Sequence, residues 1–169
     1  MPEYIFDTTV LSNLAAVGRL DLLKERYRKM ALTTVEVSDE LRKGAQAGYG
    51  YLEDVLKQIQ AISPSGWLRI VAPESEPEHQ LRGEFDLLLD AGEASCLALA
   101  ISRGLILATD DLAARQLAQE RGVLLTGTVG ILIAMVRDGS LSLTEANAIL
   151  AAMIGLRYRS PVDRLDELI

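Results

Sequence analysis

The segment that decides the fold is Glu93-Ala-Ser-Cys-Leu-Ala-Leu-Ala-Ile-Ser-Arg-Gly-Leu-Ile-Leu-Ala-Thr-Asp-Asp, residues 93–111. Its first ten residues are almost entirely apolar, which predicts a helix in the core, and Gly104 ends that helix. Leu105-Ile-Leu-Ala then predicts a short buried strand that ends at Thr109-Asp110-Asp111. A buried helix followed directly by a buried strand is typical of α/β domains.

The same alternation extends along the rest of the chain. Four further strands are predicted, with helices between them and after the last one. We therefore expect an α/β protein, a three-layer α/β/α sandwich around a central, largely parallel sheet of about five strands. We expect 1–169 to form one domain, with 137–169 as a helical C-terminal extension packed on it. The other strands are predicted at 3–6, 30–34, 67–71 and 123–125, and the other helices at 10–16, 19–27, 35–43, 49–62, 78–89, 112–121, 127–137, 144–154 and 161–168.

The composition limits the class of protein. The chain has 24 Asp and Glu against 17 Lys and Arg, a net charge of −7, which excludes a generally basic, nucleic-acid-coating protein. A single cysteine excludes a disulfide framework and a Cys-rich zinc site, and suits a reducing compartment. Residues 1–16 contain Asp7 and no Lys or Arg, unlike a signal peptide, so we expect a cytoplasmic protein with no membrane partner.

Acidic residues fall where strands end and helices begin. The first strand ends at Asp7 and the fourth at Asp110-Asp111, Glu93 begins the buried helix, and Glu40 lies on the helix after the second strand. Ligands of parallel sheets bind at the carboxyl ends of the strands. Carboxylates gathered there repel one another unless cations neutralise them, and Mg²⁺ or Mn²⁺ suits oxygen ligands. A metal held this way lowers the pKa of a bound water and stabilises phosphoryl charge, which is nuclease chemistry.

Each acid also has a purely structural interpretation. Asp7 and Asp110 can cap the helices that follow them. Glu93 occupies a position where a helix dipole favours negative charge. Glu40 can be a surface residue, and Glu36, one turn earlier, competes with it for the same role.

Several segments occur in a recognisable order. They are Phe6-Asp-Thr-Thr-Val-Leu-Ser-Asn-Leu, Thr34-Val-Glu-Val-Ser-Asp-Glu-Leu-Arg-Lys-Gly, Gly92-Glu-Ala-Ser-Cys-Leu-Ala-Leu-Ala, Leu107-Ala-Thr-Asp-Asp-Leu-Ala-Ala-Arg-Gln-Leu-Ala and Thr126-Gly-Thr-Val-Gly-Ile-Leu. Over residues 4–136 the chain resembles the PIN-domain family of metal-dependent ribonucleases. Within that family it resembles small prokaryotic proteins related to the toxin half of VapBC-type toxin–antitoxin modules.

The resemblance implies a set of catalytic and metal-binding acids. The first falls on Asp7, the second on Glu40 rather than Glu36, and the third on Glu93. The fourth falls on Asp110 or Asp111, because the family pattern can be placed one residue either way; Asp110 is preferred. The resemblance also implies Mg²⁺ or Mn²⁺ as cofactor, frequent homodimers, and an antitoxin that blocks the site.

Our hypothesis from the sequence is a divalent-metal-dependent endoribonuclease, the toxin or toxin-like component of a toxin–antitoxin module. Thr9 and Thr109 would orient the carboxylates. Three basic residues, Arg19, Lys24 and Arg115, are candidates for binding the RNA backbone. The alternative is a non-catalytic PIN-like module that binds nucleic acid or regulates through a protein partner. A haloacid-dehalogenase-like phosphatase is set aside, because its motif needs a second Asp where this chain has Thr9.

Overall fold

Five short parallel strands form the centre of the protein. The structure is a computed structural model that describes all residues, 1–169. The strand order is β3-β2-β1-β4-β5, and every neighbouring pair is parallel. The predicted fold class, an α/β sandwich with a parallel sheet of about five strands, is confirmed. The strands are β1 (Tyr4–Phe6), β2 (Ala31–Thr34), β3 (Arg69–Val71), β4 (Ile106–Ala108) and β5 (Leu125–Thr126).

Nine helices flank the sheet and connect its strands. One group, α1, α8 and α9, packs together, and a second group, α3, α5 and α7, packs against the central helix α6. The helix α6 is buried because eight of its residues, from Gly92 to Ala100, face the core. The helices are α1 (Thr8–Ala16), α2 (Leu20–Tyr27), α3 (Val35–Gln46), α4 (Leu52–Leu56), α5 (Glu76–Asp86), α6 (Ala91–Arg103), α7 (Leu112–Glu120), α8 (Thr128–Arg137) and α9 (Leu143–Gly155), followed by a single 3₁₀ turn at Asp166–Leu168.

The strand order creates a crevice between β1 and β4. From β1 the chain adds β2 and β3 on one side of the sheet, and then returns to add β4 and β5 on the other side. The carboxyl ends of β1 and β4 therefore lie side by side at the point where the winding reverses. This is the position at which open parallel sheets bind ligands.

Three predicted helices differ clearly from the observed ones. The helix predicted at 161–168 is wrong, because only a single 3₁₀ turn forms there, at Asp166–Leu168. The helix predicted at 35–43 continues through Gly44 to Gln46, because a glycine there leaves the space that the side chain of Leu52 fills. The helix predicted at 49–62 is wrong beyond Leu56. The main-chain oxygen of Gln58 accepts hydrogen bonds from the amides of Trp67 and Leu68, both at 2.9 Å, and these contacts draw the chain out of helix.

The C-terminal part of the chain packs on the rest. Residues of α9, such as Leu150 and Met153, are buried in the same hydrophobic cluster as the strands, and α9 contacts α8 and α1. No helix has the length and apolarity that crossing a bilayer requires.

Candidate active site

Five carboxylates gather around the carboxyl ends of β1 and β4. We call this group the acid edge, and it consists of Asp7, Glu40, Asp90, Glu93 and Asp111. Asp7 directly follows β1, Glu40 lies on α3, Asp90 and Glu93 lie at the start of α6, and Asp111 begins α7. Burial raises the pKa values of Asp7, Glu40 and Glu93, and negative charge on other members of the group raises them further, so the charges of these side chains interact.

Asp7 is the buried centre of the acid edge. Its side chain is 1% exposed and accepts hydrogen bonds from the amide of Thr8 at 2.7 Å, the hydroxyl of Thr109 at 2.8 Å and the hydroxyl of Thr9 at 3.3 Å. Burial raises the pKa of Asp7 to about 7, although the hydrogen bonds oppose that shift. Asp7 is also the N-cap of α1, as its structural interpretation predicts. A capping role does not exclude a functional role, so the same carboxylate can serve both.

Glu93 faces three other acids. Burial first, and then the charges of Asp7, Asp90 and Asp111, raise the pKa of Glu93 to about 8. Asp90 and Glu93 form a capping box: the amide of Glu93 donates to Asp90 at 2.9 Å, and the amide of Asp90 donates to Glu93 at 3.3 Å. The second of these hydrogen bonds is long, so the Glu93 carboxylate is only weakly held in this position.

Glu40 is fixed from two sides. It accepts a hydrogen bond from the hydroxyl of Thr8 at 2.6 Å and another from the amide of Gly92 at 2.8 Å. Its pKa is raised, first by burial and further by Asp90. Glu36 does not join the acid edge, because it pairs with Arg82 at 2.7 Å. Burial alone would raise the pKa of Glu36, but the hydrogen bond from Arg82, the charge of Arg82 and further hydrogen bonds together lower it below its ordinary value.

The two adjacent aspartates after β4 point to different partners. Asp110 accepts hydrogen bonds from the amide and hydroxyl of Thr128 and, at 2.8 Å, from the side-chain amide of Asn13. Asp111 caps α7 by accepting from the amide of Ala114 at 2.9 Å. The negative charge of Asp111 is among the causes that raise the pKa of Glu93, after burial and the charges of Asp7 and Asp90, which assigns Asp111 to the acid edge.

The three suggested RNA-binding bases have different surroundings. Arg115 lines a cleft beside Asp111, and one guanidinium nitrogen donates to the main-chain oxygens of Thr109 at 2.8 Å and Thr126 at 3.1 Å. Arg19 pairs with an aspartate in its own turn, and Lys24 is an exposed residue of α2. Neither Arg19 nor Lys24 lines that cleft.

No positive side chain neutralises the acid edge. The protein contains nine ion pairs, and none of them includes a member of the acid edge or Asp110. Carboxylate and hydroxyl oxygens are the donors that hard divalent cations prefer, so the chemistry of this group fits Mg²⁺ or Mn²⁺. As the side chains stand, no three acidic, His or Cys groups converge closely enough to surround an ion.

Some residues of this arrangement were missing from the sequence prediction. Asp90 precedes Glu93 by three residues, which is capping-box spacing, and that spacing was the available signal. Thr8 and Gly92 donate hydrogen bonds to Glu40, from which they are separated by 32 and 52 positions in the sequence. No local sequence pattern indicates contacts at such separations.

Comparison with known proteins supports the family resemblance that the sequence shows. The family model for the PIN domain matches residues 3–169, which includes the C-terminal helix. The structure of PAE2754 from Pyrobaculum aerophilum is similar, with a TM-score of 0.51 and 23% identity over 83% of this chain and 98% of that one. The structure of VapBC-1 from nontypeable Haemophilus influenzae has a TM-score of 0.52 and 16% identity over 74% of this chain and 97% of that one. None of the curated proteins matches.

The chain belongs to the PIN-domain family. The family match spans nearly the whole sequence, and the two solved structures share the fold. The resemblance seen in the sequence is therefore confirmed at the level of the family.

Proposed function

We propose that the protein is a divalent-metal-dependent endoribonuclease that hydrolyses RNA phosphodiester bonds. One observation carries the proposal: this PIN-domain chain has a buried, unneutralised carboxylate, Asp7, with partly exposed carboxylates around it, at the crevice between β1 and β4. Keeping such charges without a cation costs free energy, so the arrangement is one that a bound divalent ion stabilises.

The residues proposed to hold the ion are Asp7, Glu93 and Asp111, with Glu40 beside them. Asp111 is preferred over Asp110, because the charge of Asp111 acts on Glu93, whereas hydrogen bonds from Thr128 and Asn13 tie Asp110 to α8 and α1. When bound, Mg²⁺ or Mn²⁺ supplies an activated water and charge stabilisation at the scissile phosphate.

The surrounding side chains prepare this site. Thr9 and Thr109 donate to Asp7 and hold its carboxylate in one orientation. Thr8 and Gly92 do the same for Glu40. Without an ion, burial and the neighbouring acids raise the pKa of Glu93 to about 8, and a bound divalent ion would favour its ionised form.

Cleavage of a labelled single-stranded RNA tests the proposal. We expect the parent chain to cleave with Mg²⁺ or Mn²⁺ and to stop in EDTA. Asp7→Asn and Asp111→Asn should each reduce the rate by about 100-fold or more, because each removes one charge that the reaction needs. The matched control is Asp54→Asn, the same chemical change at an exposed residue of α4, which should cleave like the parent. Equal rates for the parent and Asp7→Asn would exclude this assignment.

One observation favours a second candidate, a non-catalytic module that acts through a protein partner. The carboxylates do not converge on a single point as the side chains stand. A chain that binds RNA but shows no metal-dependent cleavage, and no heat of Mn²⁺ binding in calorimetry, would support this candidate.

We further propose that the protein is the toxin component of a toxin–antitoxin module, acting in the cytoplasm as a homodimer. The support is its PIN-domain membership and the fold that it shares with VapBC-1. An antitoxin encoded by the neighbouring reading frame should co-purify with the chain and inhibit cleavage. Size-exclusion chromatography with light scattering will measure whether two copies associate.

A further inference from the structure

A large cleft opens beside the acid edge. Its volume is about 970 Å³, and it lies between the α7 end of the acid edge and a segment that follows α9. On one side are Thr9, Asp111 and Arg115, and on the other are Arg157, Tyr158 and Arg159. The cleft therefore reaches from the C-terminal segment to Asp111, the one member of the acid edge that lines it.

The C-terminal wall of this cleft presents two free positive charges. Arg157 and Arg159 are both exposed, and neither takes part in any of the ion pairs of the protein. Tyr158 lies between them and packs against the hydrophobic core instead. This alternation anchors the segment through the tyrosine and leaves both guanidinium groups available to a ligand.

Arg157 occupies a backbone conformation that favours glycine. With a φ of 76°, it is the only residue other than glycine with a positive φ. The amide of Arg157 bonds to the oxygen of Ile154, and the amide of Tyr158 bonds to the oxygen of Met153, both at 3.0 Å. These two bonds form a Schellman motif at the end of α9, and glycine is the usual residue at the position of Arg157. An arginine costs stability there, so its side chain is better explained by binding than by folding.

We infer that this cleft binds the phosphodiester backbone of single-stranded RNA, with Arg157 and Arg159 contacting phosphates next to the scissile bond. The inference rests on the proposed function, which makes RNA the substrate. Guanidinium groups bind phosphate oxygens through paired hydrogen bonds, and here they line the same cleft as Asp111, one of the residues proposed to hold the ion. The two arginines offset the acidic total charge of the protein where the substrate must approach.

Fluorescence anisotropy with a labelled single-stranded RNA tests the cleft without requiring cleavage. Binding is measured in EDTA over a range of salt concentrations. For Arg157→Gln/Arg159→Gln we expect affinity to fall at least tenfold and the slope of log K against log salt to decrease by about 1.4, which corresponds to two lost phosphate contacts. The matched control is Arg28→Gln/Lys29→Gln. These two exposed residues lie shortly before β2, at the amino ends of the strands and away from the cleft, and the control should bind like the parent.

A single variant separates binding from folding. Arg157→Gly should weaken RNA binding while the midpoint of thermal unfolding stays the same or rises by about 2–4 °C, because glycine relieves the unfavourable backbone conformation. A lower midpoint with unchanged RNA affinity would show that Arg157 serves the fold, and would overturn the inference.

The outcomes distinguish this inference from the proposed function. If the parent cleaves RNA but both arginine variants bind like the parent, the inference fails and the proposed function stands. If binding depends on the arginines but Mg²⁺ supports no cleavage, the inference stands and the proposed function fails. If the parent does not bind RNA, the inference fails and the cleft is left for a protein partner.

Discussion

Gly92 determines where the carboxylate of Glu40 lies. A Cβ atom at this position would come within 2.5 Å of Glu40 Oε2, and the amide of Gly92 donates to Oε1 of the same side chain. In Gly92→Ala the Glu40 carboxylate must move away. We expect a stability loss of only about 1 kcal/mol, because the end of a flexible side chain is displaced. We expect RNA cleavage to fall by about 100-fold, because a reacting group is misplaced.

Urea unfolding and cleavage rates, measured on the same preparations, test this prediction. Gly83→Ala is the matched control, because Gly83 is an exposed residue of α5 with no atom within 4 Å of the position of a new Cβ. Alanine there should raise the stability by about 0.5–1 kcal/mol and leave cleavage unchanged. If Gly92→Ala cleaves at the parent rate, the position of Glu40 does not matter for the reaction.

At the scale of single residues, the sequence indicates some site positions better than others. Asp7 and Glu93 can be found because each lies directly at the end or start of a predicted element. The choice between Asp110 and Asp111 cannot be made from the sequence. The two differ only in their partners, and the partner Thr128 lies 18 residues beyond Asp110.

At the scale of elements, Asp110 joins α1 and α8 to the end of β4. Asn13 of α1 and Thr128 of α8 both donate to its carboxylate. In Asp110→Asn, an amide nitrogen replaces one carboxylate oxygen. This nitrogen is a donor and cannot accept the hydrogen bonds that Asn13 and Thr128 now donate to Asp110. We expect a stability loss of about 1–3 kcal/mol, measured by urea unfolding.

Asp111→Asn is the comparison for Asp110→Asn. Asparagine caps a helix as well as aspartate does, so Asp111→Asn should change the stability by no more than about 0.5 kcal/mol. Its defect should appear in cleavage instead. If Asp111→Asn is the unstable variant and Asp110→Asn is the inactive one, their assigned roles are reversed.

A helix or strand can be predicted from the sequence when neighbouring residues determine it, and not when contacts with distant residues do. The buried helix α6 and the strand β4 are set by continuous apolar runs, and Gly104, with a φ of 65°, ends the helix where the sequence indicates. The helical spacing at 49–62 is just as regular, yet only Leu52–Leu56 is helical. There, hydrogen bonds from Trp67 and Leu68 to Gln58 compete with the helix, and they depend on a turn that periodicity does not describe.

At the scale of the whole molecule, the charge of −7 is distributed in two ways. Residues 74–93 contain seven acids, and three of them are neutralised by ion pairs. Glu78 pairs with Arg103, Glu84 with Arg121, and Asp86 with Arg82. Asp90 and Glu93 have no such partner and belong to the acid edge. The acid edge thus brings several acids without an ion-pair partner together at the crevice, and its buried member Asp7 affects the stability of the entire fold.

This concentration predicts an unusual dependence of stability on pH when no divalent ion is present. In the folded chain the pKa of Asp7 is about 7 and that of Glu93 about 8, whereas both groups titrate near 4 when unfolded. Between these values the folded chain binds more protons than the unfolded chain, so stability must fall as pH rises from about 4 to about 8. The share of Asp7 alone is about 4 kcal/mol.

Thermal unfolding in EDTA at a series of pH values measures the effect, and three variants make it specific. The parent should lose stability from pH 5 to pH 8, Asp7→Asn should lose much less, and Asp54→Asn should follow the parent. Mn²⁺ at pH 8, at 100 times its dissociation constant, should raise the stability of the parent by about 2.7 kcal/mol, because it binds the ionised carboxylates of the folded chain. Asp7→Asn should gain far less. If the parent and Asp7→Asn show the same pH dependence, the ionised Asp7 carboxylate does not destabilise the folded chain. A divalent ion would then not be needed to neutralise it.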